Sequence, residues 1–164
     1  MTGTITLVAG RNAGDRTAVA RVIAAENHWP LLNVDDLTGS FVRHIVADVT
    51  GDPSDTASAT FRMLVAPRQT EAVLGTLWAQ VDAGVPHVVV SAPFVFELAT
   101  DEWLNELNYD LGLHGYEATV VYVLAPGEPF PDLDPEHFVM DGATEGIDKL
   151  FADATSIARE LRGA

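Results

Sequence analysis

The sequence predicts an α/β fold in which a central parallel sheet of about five strands carries helices on both faces. Short apolar runs, long enough for buried strands, alternate along the 164 residues with longer segments in which apolar residues recur at helical spacing. The chain is 48% hydrophobic and 20% charged, a composition typical of a globular domain with a substantial core. We therefore expect residues 1–164 to form a single domain.

The strands are predicted from apolar runs that end at glycine, proline or polar residues. The run at 4–9 ends at Gly10, and the run at 86–91 is apolar enough to be buried on both faces. The other predicted strands are 31–34, 118–124 and a short one at 137–140.

Between these strands, apolar residues at helical spacing predict five helices. They are 16–26, 37–49, 60–83 with a break near Pro67, 100–113 with Thr100 as its N-cap, and 143–161. The helical spacing of Phe41, Trp103 and Phe151 predicts that these aromatic side chains lie in the core. Residues 125–135 contain four prolines and are predicted to form an irregular loop.

Charge and composition exclude several classes of function. The formal net charge of −15, from 24 acidic and 9 basic residues, argues against nucleic acid and anionic membranes as partners. No apolar run reaches the ~18 residues of a membrane span, and no secretory signal is visible. Because the chain has no cysteine, disulfides and zinc–thiolate sites are excluded. We expect a soluble cytoplasmic protein.

Parallel sheets bind ligands at the carboxyl ends of their strands. The segments predicted at that edge are 10–17, 35–36, 91–97 and 125–135. Residues 10–17 read Gly-Arg-Asn-Ala-Gly-Asp-Arg-Thr and fit the phosphate-binding pattern G-x-x-x-x-G-K-[ST] at Gly10 and Thr17. Asp15 stands in place of the second glycine of that pattern, and Arg16 stands in place of its lysine.

The strand, the 10–17 loop, the helix and the second strand with Asp35 and Asp36 resemble the start of small-molecule kinases and zeta-toxin-like P-loop ATPases. The stretch Gly-Val-Pro-His-Val-Val-Val-Ser-Ala-Pro-Phe at 84–94, with Glu97 and Trp103 after it, is similar to bacterial AAA-family ATP-binding proteins. The order of elements matches over nearly the whole chain. The resemblance implies a three-layer P-loop NTPase fold of kinase type.

The resemblance also implies roles for individual residues, with ATP and Mg²⁺ as cofactors. Thr17 and Asp36 would hold the metal, and Arg16 and Asp35 would be catalytic, Arg16 on the phosphates and Asp35 on the acceptor hydroxyl. The loop that holds the nucleotide phosphates would comprise Gly10, Asn12, Gly14, Asp15, Arg16 and Thr17. The acceptor pocket would comprise Asp35, Ser91, Pro93, Phe94 and Glu97.

The chain departs from the family pattern in three places. The loop carries Asp15 and Arg16, the third strand ends in Ser91 where the family often has aspartate, and the lid region 125–135 has no arginine. Because phosphoryl transfer relies on positioning and positive charge, each departure weakens the expected activity.

Simpler structural roles compete with these functional ones. Asp15 is predicted to be the N-cap of the first helix, where its carboxylate would occupy the N–H groups that normally hold phosphate. Arg16 would pair with Asp15, Asp35 or Asp36, and Asp36 would cap the following helix. These interpretations remain open alongside the catalytic ones.

Two main hypotheses about function follow from the sequence. The first is an ATP-dependent phosphotransferase that acts on a small hydroxylated molecule through an impaired nucleotide site. The second is an inactive P-loop pseudoenzyme that needs no cofactor and binds a small molecule or a protein partner. A third, in which Asp35, Asp36 and Glu97 run another reaction in the same cleft, has no specific support. The acceptor, the partner and the oligomeric state are left open.

Overall fold

The computed structural model describes residues 3–129, 133–134, 136–142 and 146–163. The strands in these residues are β1 (Gly3–Ala9), β2 (Leu31–Asn33), β3 (His87–Ser91), β4 (Tyr116–Leu124) and β5 (Phe138–Asp141). The α-helices are α1 (Ala13–Asn27), α2 (Val34–Thr50), α3 (Ala66–Asp82), α4 (Asp101–Leu113) and α5 (Ile147–Gly163).

The five strands form one sheet in the order β2-β3-β1-β4-β5, and every neighbouring pair is parallel. The central strand, β1, pairs with β3 and β4 along almost its whole length and is almost completely buried. Because all strands run in the same direction, the loops that follow them meet at one edge of the sheet. The predicted parallel sheet is confirmed.

Helices cover both faces of the sheet, and each face has its own apolar core. On one face α1 and α5 pack against the sheet, with Val19, Ile23 and Leu150 in the core. On the other face α3 and α4 bury Leu77 and Leu107. The helix α2 packs against α3 and β2. The structure is therefore the three-layer α/β arrangement that the sequence predicts.

Two helices begin earlier than the apolar spacing predicts. The helix α1 begins at Ala13 rather than at residue 16, and α2 begins at Val34 rather than at residue 37. In each case an asparagine side chain, Asn12 or Asn33, accepts hydrogen bonds from the first backbone N–H groups. An N-cap of this kind starts a helix before its apolar face begins, and apolar spacing alone does not show it.

The helical backbone continues without interruption through the segment before α3, so the structure shows a change of hydrogen-bonding pattern near Pro67 rather than the predicted break. Residues Phe61–Val65 form a π-helical turn, and α3 follows from Ala66 with Pro67 in its first turn. Proline suits that position because its missing N–H has no intrahelical partner there. Residues 143–145, predicted to open the last helix, and 130–132 and 135 of the predicted irregular loop lie outside the described residues.

The prediction that three aromatic residues lie in the core is wrong for two of them. Phe41 is 69% exposed and Phe151 is 40% exposed, whereas Trp103 is half-buried and packs against the core. Helical spacing identifies which residues share a face, but the packing of neighbouring elements decides which face is covered. In α2 that face is the one with Val46, which is buried.

In the described part of the chain, no helix is both long enough and apolar enough to cross a membrane.

We predict that Gly10→Ala destabilises the protein by about 2–4 kcal/mol. Gly10 has a φ of +140°, and a Cβ atom there would lie 2.3 Å from the Val123 carbonyl oxygen. Urea unfolding followed by circular dichroism measures the effect. The control is Gly75→Ala in the middle of α3, where nothing lies within 4 Å of the new atom. That change should raise stability by about 0.5–1 kcal/mol, and equal losses in both variants would contradict the prediction.

Candidate functional site

The loop between β1 and α1 is short, and its asparagine caps the helix. Asn12 Oδ1 accepts hydrogen bonds from the backbone N–H groups of Gly14 at 3.0 Å and Asp15 at 3.3 Å. The prediction that Asp15 is the N-cap is therefore wrong, because the helix begins two residues before Asp15. The N–H groups of Gly14 and Asp15, which belong to the predicted phosphate loop, are bonded to the protein itself.

The Asp15 carboxylate turns back toward its own cap and toward the end of β5. Its Oδ2 accepts a hydrogen bond of 3.0 Å from Asn12 Nδ2. A Cβ atom at Gly142, just after β5, would come within 2.7 Å of the same oxygen. The first turn of α1 thus carries a negative charge of its own, in the place where the helix dipole favours an anion.

Gly10 is bonded on both sides to other parts of the chain. Its N–H donates to the carbonyl oxygen of Pro93 at 3.1 Å, and its own carbonyl accepts from Arg16 Nη1 at 2.8 Å. Pro93, predicted for the acceptor pocket, therefore contacts the loop through its backbone. These two bonds fix the start of the loop between α1 and the segment after β3.

Arg16 is 1% exposed, which makes it the most buried charged residue in the described chain. Its Nη2 donates to Asp35 Oδ2 at 3.1 Å, and the Asp35 side chain is itself 50% exposed. Burial lowers the pKa of Arg16, and the charge and hydrogen bond of Asp35 oppose that change. Within the described residues Arg16 Nε has no hydrogen-bond partner. Of the three pairings predicted for Arg16, the structure shows the one with Asp35.

The two predicted metal ligands, Thr17 and Asp36, lie on α1 and α2. Asp36 Oδ2 accepts from Asn33 Nδ2 at 3.1 Å and from Arg21 Nη2 at 3.5 Å. Asn33 also caps α2 through the Asp35 N–H, so the predicted capping role of Asp36 is wrong. Thr17 lies half-buried in the second turn of α1. Among the described residues, no three acidic or histidine side chains cluster as a metal site would require.

The remaining pocket residues are spread between the core and the surface. Ser91 is fully buried at the end of β3, in register with Asn33, and its hydroxyl has no partner in the described residues. Phe94 is 1% exposed and packs on Trp103 with ring centroids 5.6 Å apart. Glu97 begins a short 3₁₀ turn, and no hydrogen bond or ion pair described in the structure joins it to Arg16.

A cluster that the sequence reasoning missed joins the β1–α1 loop to the loop after β4. Glu128 accepts three hydrogen bonds, from Arg11 Nε at 2.8 Å, the Tyr122 hydroxyl at 2.9 Å and the Ala125 N–H at 2.9 Å. The sequence feature that indicates this loop is the Pro-Gly pair before Glu128, which favours a type II turn. Gly127 has a φ of +77°, as such a turn requires.

The surroundings of Glu128 shift two pKa values in opposite directions. Burial by itself favours the neutral acid, but the bonds from Ala125, Tyr122 and Arg11 outweigh it and lower the pKa of Glu128. Burial, together with the adjacent carboxylate, raises the pKa of Tyr122 to about 12. At neutral pH the cluster is therefore a charged carboxylate held by an arginine and a neutral phenol.

Three arginines near this edge of the sheet are each paired with a carboxylate of the same chain. The pairs are Arg11 with Glu128, Arg16 with Asp35 and Arg21 with Asp36. Positive charge that a phosphate would need is thus already balanced by the protein's own acids.

No protein-family model matches the chain, and no curated protein matches it. Solved structures do match. A candidate kinase from Chloroflexus aurantiacus has a TM-score of 0.61 at 13% identity, over 99% of this chain and 98% of that chain. A gluconokinase from Sinorhizobium meliloti has a TM-score of 0.53 at 16% identity, over 98% of this chain and 96% of that chain. At such identities the likeness shows the fold, which is the P-loop kinase-like fold.

We predict that Arg16→Ala lowers the free energy of unfolding by about 3 kcal/mol, since it removes buried hydrogen bonds and leaves a cavity. Arg21→Ala is the matched control, because Arg21 lies on the same helix in an ion pair whose side chains are both more than 60% exposed. The free energy of unfolding of Arg21→Ala should fall by no more than about 0.5 kcal/mol. Chemical denaturation measures the free energy of unfolding of both variants. Similar losses of stability would contradict the structural role of Arg16.

We predict that Glu128→Gln is about 1–2 kcal/mol less stable than the parent at pH 7. A carboxylate whose pKa is lowered by folding stabilises the protein above its ordinary pKa, and this contribution disappears as the pH falls through the folded-state pKa. The difference between parent and variant should therefore shrink as the pH falls below about 4.5. Thermal unfolding across that range measures it, and a difference independent of pH would contradict the role of the charge.

Proposed function

We propose that this protein is a P-loop pseudoenzyme, a single domain over residues 1–164 that keeps the kinase-like scaffold but does not transfer phosphoryl groups from MgATP. It acts instead by binding a small molecule or a protein partner. The observation that carries this proposal is the position of Arg16. Arg16, at the position of the phosphate-binding lysine in the P-loop pattern, is buried and donates hydrogen bonds to the Gly10 carbonyl and to Asp35.

For Arg16 to reach a phosphate, its guanidinium would have to leave both partners. That movement would break two hydrogen bonds to a charged group and open a void beneath α1. Lysine has a flexible chain that follows a ligand, whereas the planar arginine fork is held by the geometry of its partners. Arg16 is thus better suited to hold the loop than to bind a nucleotide.

The backbone of the loop supports the same conclusion. A phosphate cradle needs free N–H groups, but those of Gly10, Gly14 and Asp15 are bonded to Pro93 and Asn12. The Asp15 carboxylate adds repulsion against a phosphate. The residues present therefore do not fit ATP with Mg²⁺ in the usual arrangement, and we interpret 10–17 as a degenerate Walker A loop.

The second candidate is a phosphotransferase that acts on a small hydroxylated molecule. The specific observation in its favour is Asp35, whose carboxylate lies at the ligand-binding edge of the sheet and is half exposed. In this candidate the acceptor hydroxyl would lie against the Asp35 carboxylate, beside Arg16. This candidate requires a nucleotide site different from the one that the 10–17 loop provides in related folds.

Calorimetric titration with ATP, with and without Mg²⁺, separates the two candidates. For the pseudoenzyme we expect no detectable heat at millimolar nucleotide, equivalent to a binding free energy weaker than about −4 kcal/mol. A micromolar dissociation constant that depends on Mg²⁺ would overturn the proposal and favour the phosphotransferase.

The paired variant Asp15→Gly with Arg16→Lys tests whether these two residues prevent the 10–17 loop from binding nucleotide. We expect it to gain MgATP binding that the parent lacks, since it restores the flexible glycine and the lysine of the phosphate-binding pattern. Arg21→Lys on the same helix is the control and should gain nothing. If the paired variant folds but still binds no nucleotide, the lid region without arginine or other changes in the pocket, rather than Asp15 and Arg16, account for the lost binding.

A further inference from the structure

Two buried polar atoms near the edge of the sheet have no hydrogen-bond partner among the described residues. One is Arg16 Nε, and the other is the hydroxyl oxygen of Ser91. Arg16 is 1% exposed and Ser91 is completely buried, so neither side chain is in contact with bulk solvent. A buried polar group without a partner costs free energy, and in folded proteins an ordered water molecule commonly supplies the missing hydrogen bond.

The Ser91 hydroxyl lies on the face of the sheet that α1 covers. Ser91 is in register with Val8 of β1 and follows Val89 by two residues along β3. Val8 and Val89 both belong to the core under α1 and α5. Side chains alternate along a strand, and neighbours in register point to the same face. The Ser91 side chain therefore points toward α1, which packs directly against β3.

The Arg16 guanidinium lies across the end of β3. Its Nη1 bonds to the carbonyl of Gly10, just after β1, and its Nη2 bonds to Asp35, just after β2. In the sheet, β3 lies between β1 and β2, and Ser91 is its last residue. A group bonded at the ends of both outer strands must pass over the end of the middle one. The two atoms without partners therefore lie in the same place, under α1.

The hydrogen-bonding capacities of the two atoms define what can lie between them. Arg16 Nε is a donor only, whereas the Ser91 hydroxyl can donate or accept. No hydrogen bond joins them directly in the described structure. A ligand with a free lone pair would accept from Arg16 Nε and also bond to Ser91. One water molecule is the usual bridge across such a gap between polar groups.

The charges around the site favour a neutral ligand. Asp35 already pairs with Arg16 at 3.1 Å, so a buried anion would be a second negative charge beside a single arginine. Burial of a charge without compensation is costly. A cation does not fit, because Arg16 Nε can only donate. Water is the neutral molecule with a lone pair that is small enough for a closely packed interior.

We propose that one buried water molecule bridges Arg16 Nε and the Ser91 hydroxyl. The water adds a hydrogen bond to those that the guanidinium makes with Gly10 and Asp35, and it links β3 to both of them. Ser91 is thus a positioning residue for Arg16. The proposal does not depend on whether the protein binds nucleotide.

A high-resolution crystal structure of the full chain, grown in a solution that contains bromide, tests the proposal directly. We expect a single peak of density within hydrogen-bond distance of Arg16 Nε and the Ser91 hydroxyl, without anomalous signal from bromide. An anomalous peak at this position would show that the ligand is an anion. That result, an absence of density between the two atoms, or a direct bond between them would each overturn the proposal.

A comparison of two buried hydroxyls tests the proposal in solution. The Thr6 hydroxyl is also completely buried and without a described partner, and Thr6 is in register with Val89, farther from the edge of the sheet. Ser91→Ala removes a partner of the water and should raise the unfolding equilibrium constant about tenfold. Thr6→Val is the control, and it should leave this constant unchanged or lower it, since it removes an unpartnered hydroxyl with little change of shape. A Ser91→Ala variant as stable as the parent would contradict the bridge.

A double-mutant cycle tests whether Ser91 and Arg16 share the water. Arg16→Lys keeps the positive charge but has no Nε–H, so the bridge is already lost in that background. Ser91→Ala should then change the unfolding equilibrium constant by less than about twofold, whereas Thr6→Val should act alike in both backgrounds. If Ser91→Ala has the same effect with arginine and with lysine, the two side chains share no ligand and the proposal is wrong. Circular dichroism of each variant confirms that it is folded.

Discussion

The buried Arg16 guanidinium connects three elements at the edge of the sheet where the strands end. It joins α1 to the end of β1 through the Gly10 carbonyl and to the start of α2 through Asp35. A buried charge is stable only when it is paired and hydrogen-bonded, so Gly10 and Asp35 are both constrained by it. The position of Asp35 at that edge is therefore a consequence of the arginine as much as of its own helix.

Around this arginine, the chain's own polar groups bond to the residues that the sequence predicts to form the phosphate loop. Asn12 takes the N–H groups at the head of α1, the Pro93 carbonyl takes that of Gly10, and Glu128 takes the Arg11 side chain. The contacts of Pro93 and Glu128 join the loops after β3 and β4 to the same short segment. Together they make the edge of the sheet a connected structural network, and this network is the physical basis of the proposed loss of nucleotide binding.

The acidic character of the chain has different consequences at different sites. Near the edge of the sheet, each of three arginines forms an ion pair with a carboxylate of the same chain. On α4, acids without basic neighbours leave a strongly negative helix that also exposes Tyr109 and Leu113. Charge in this protein thus stabilises loops near the edge of the sheet and gives α4 a negative outer face.

The sequence by itself determined the five strands, their parallel arrangement and the edge where the loops meet, because these follow from apolar runs of strand length alternating with helical spacing. It also identified Arg16 and Asp35 as residues of that edge. Only the tertiary structure decided that Arg16 pairs with Asp35, that Asn12 caps α1, and that Phe41 faces outward. These outcomes depend on which side chains from distant segments come within hydrogen-bond distance or cover a helix face. Contacts such as Arg11 with Glu128, 117 residues apart, have no local pattern in the sequence.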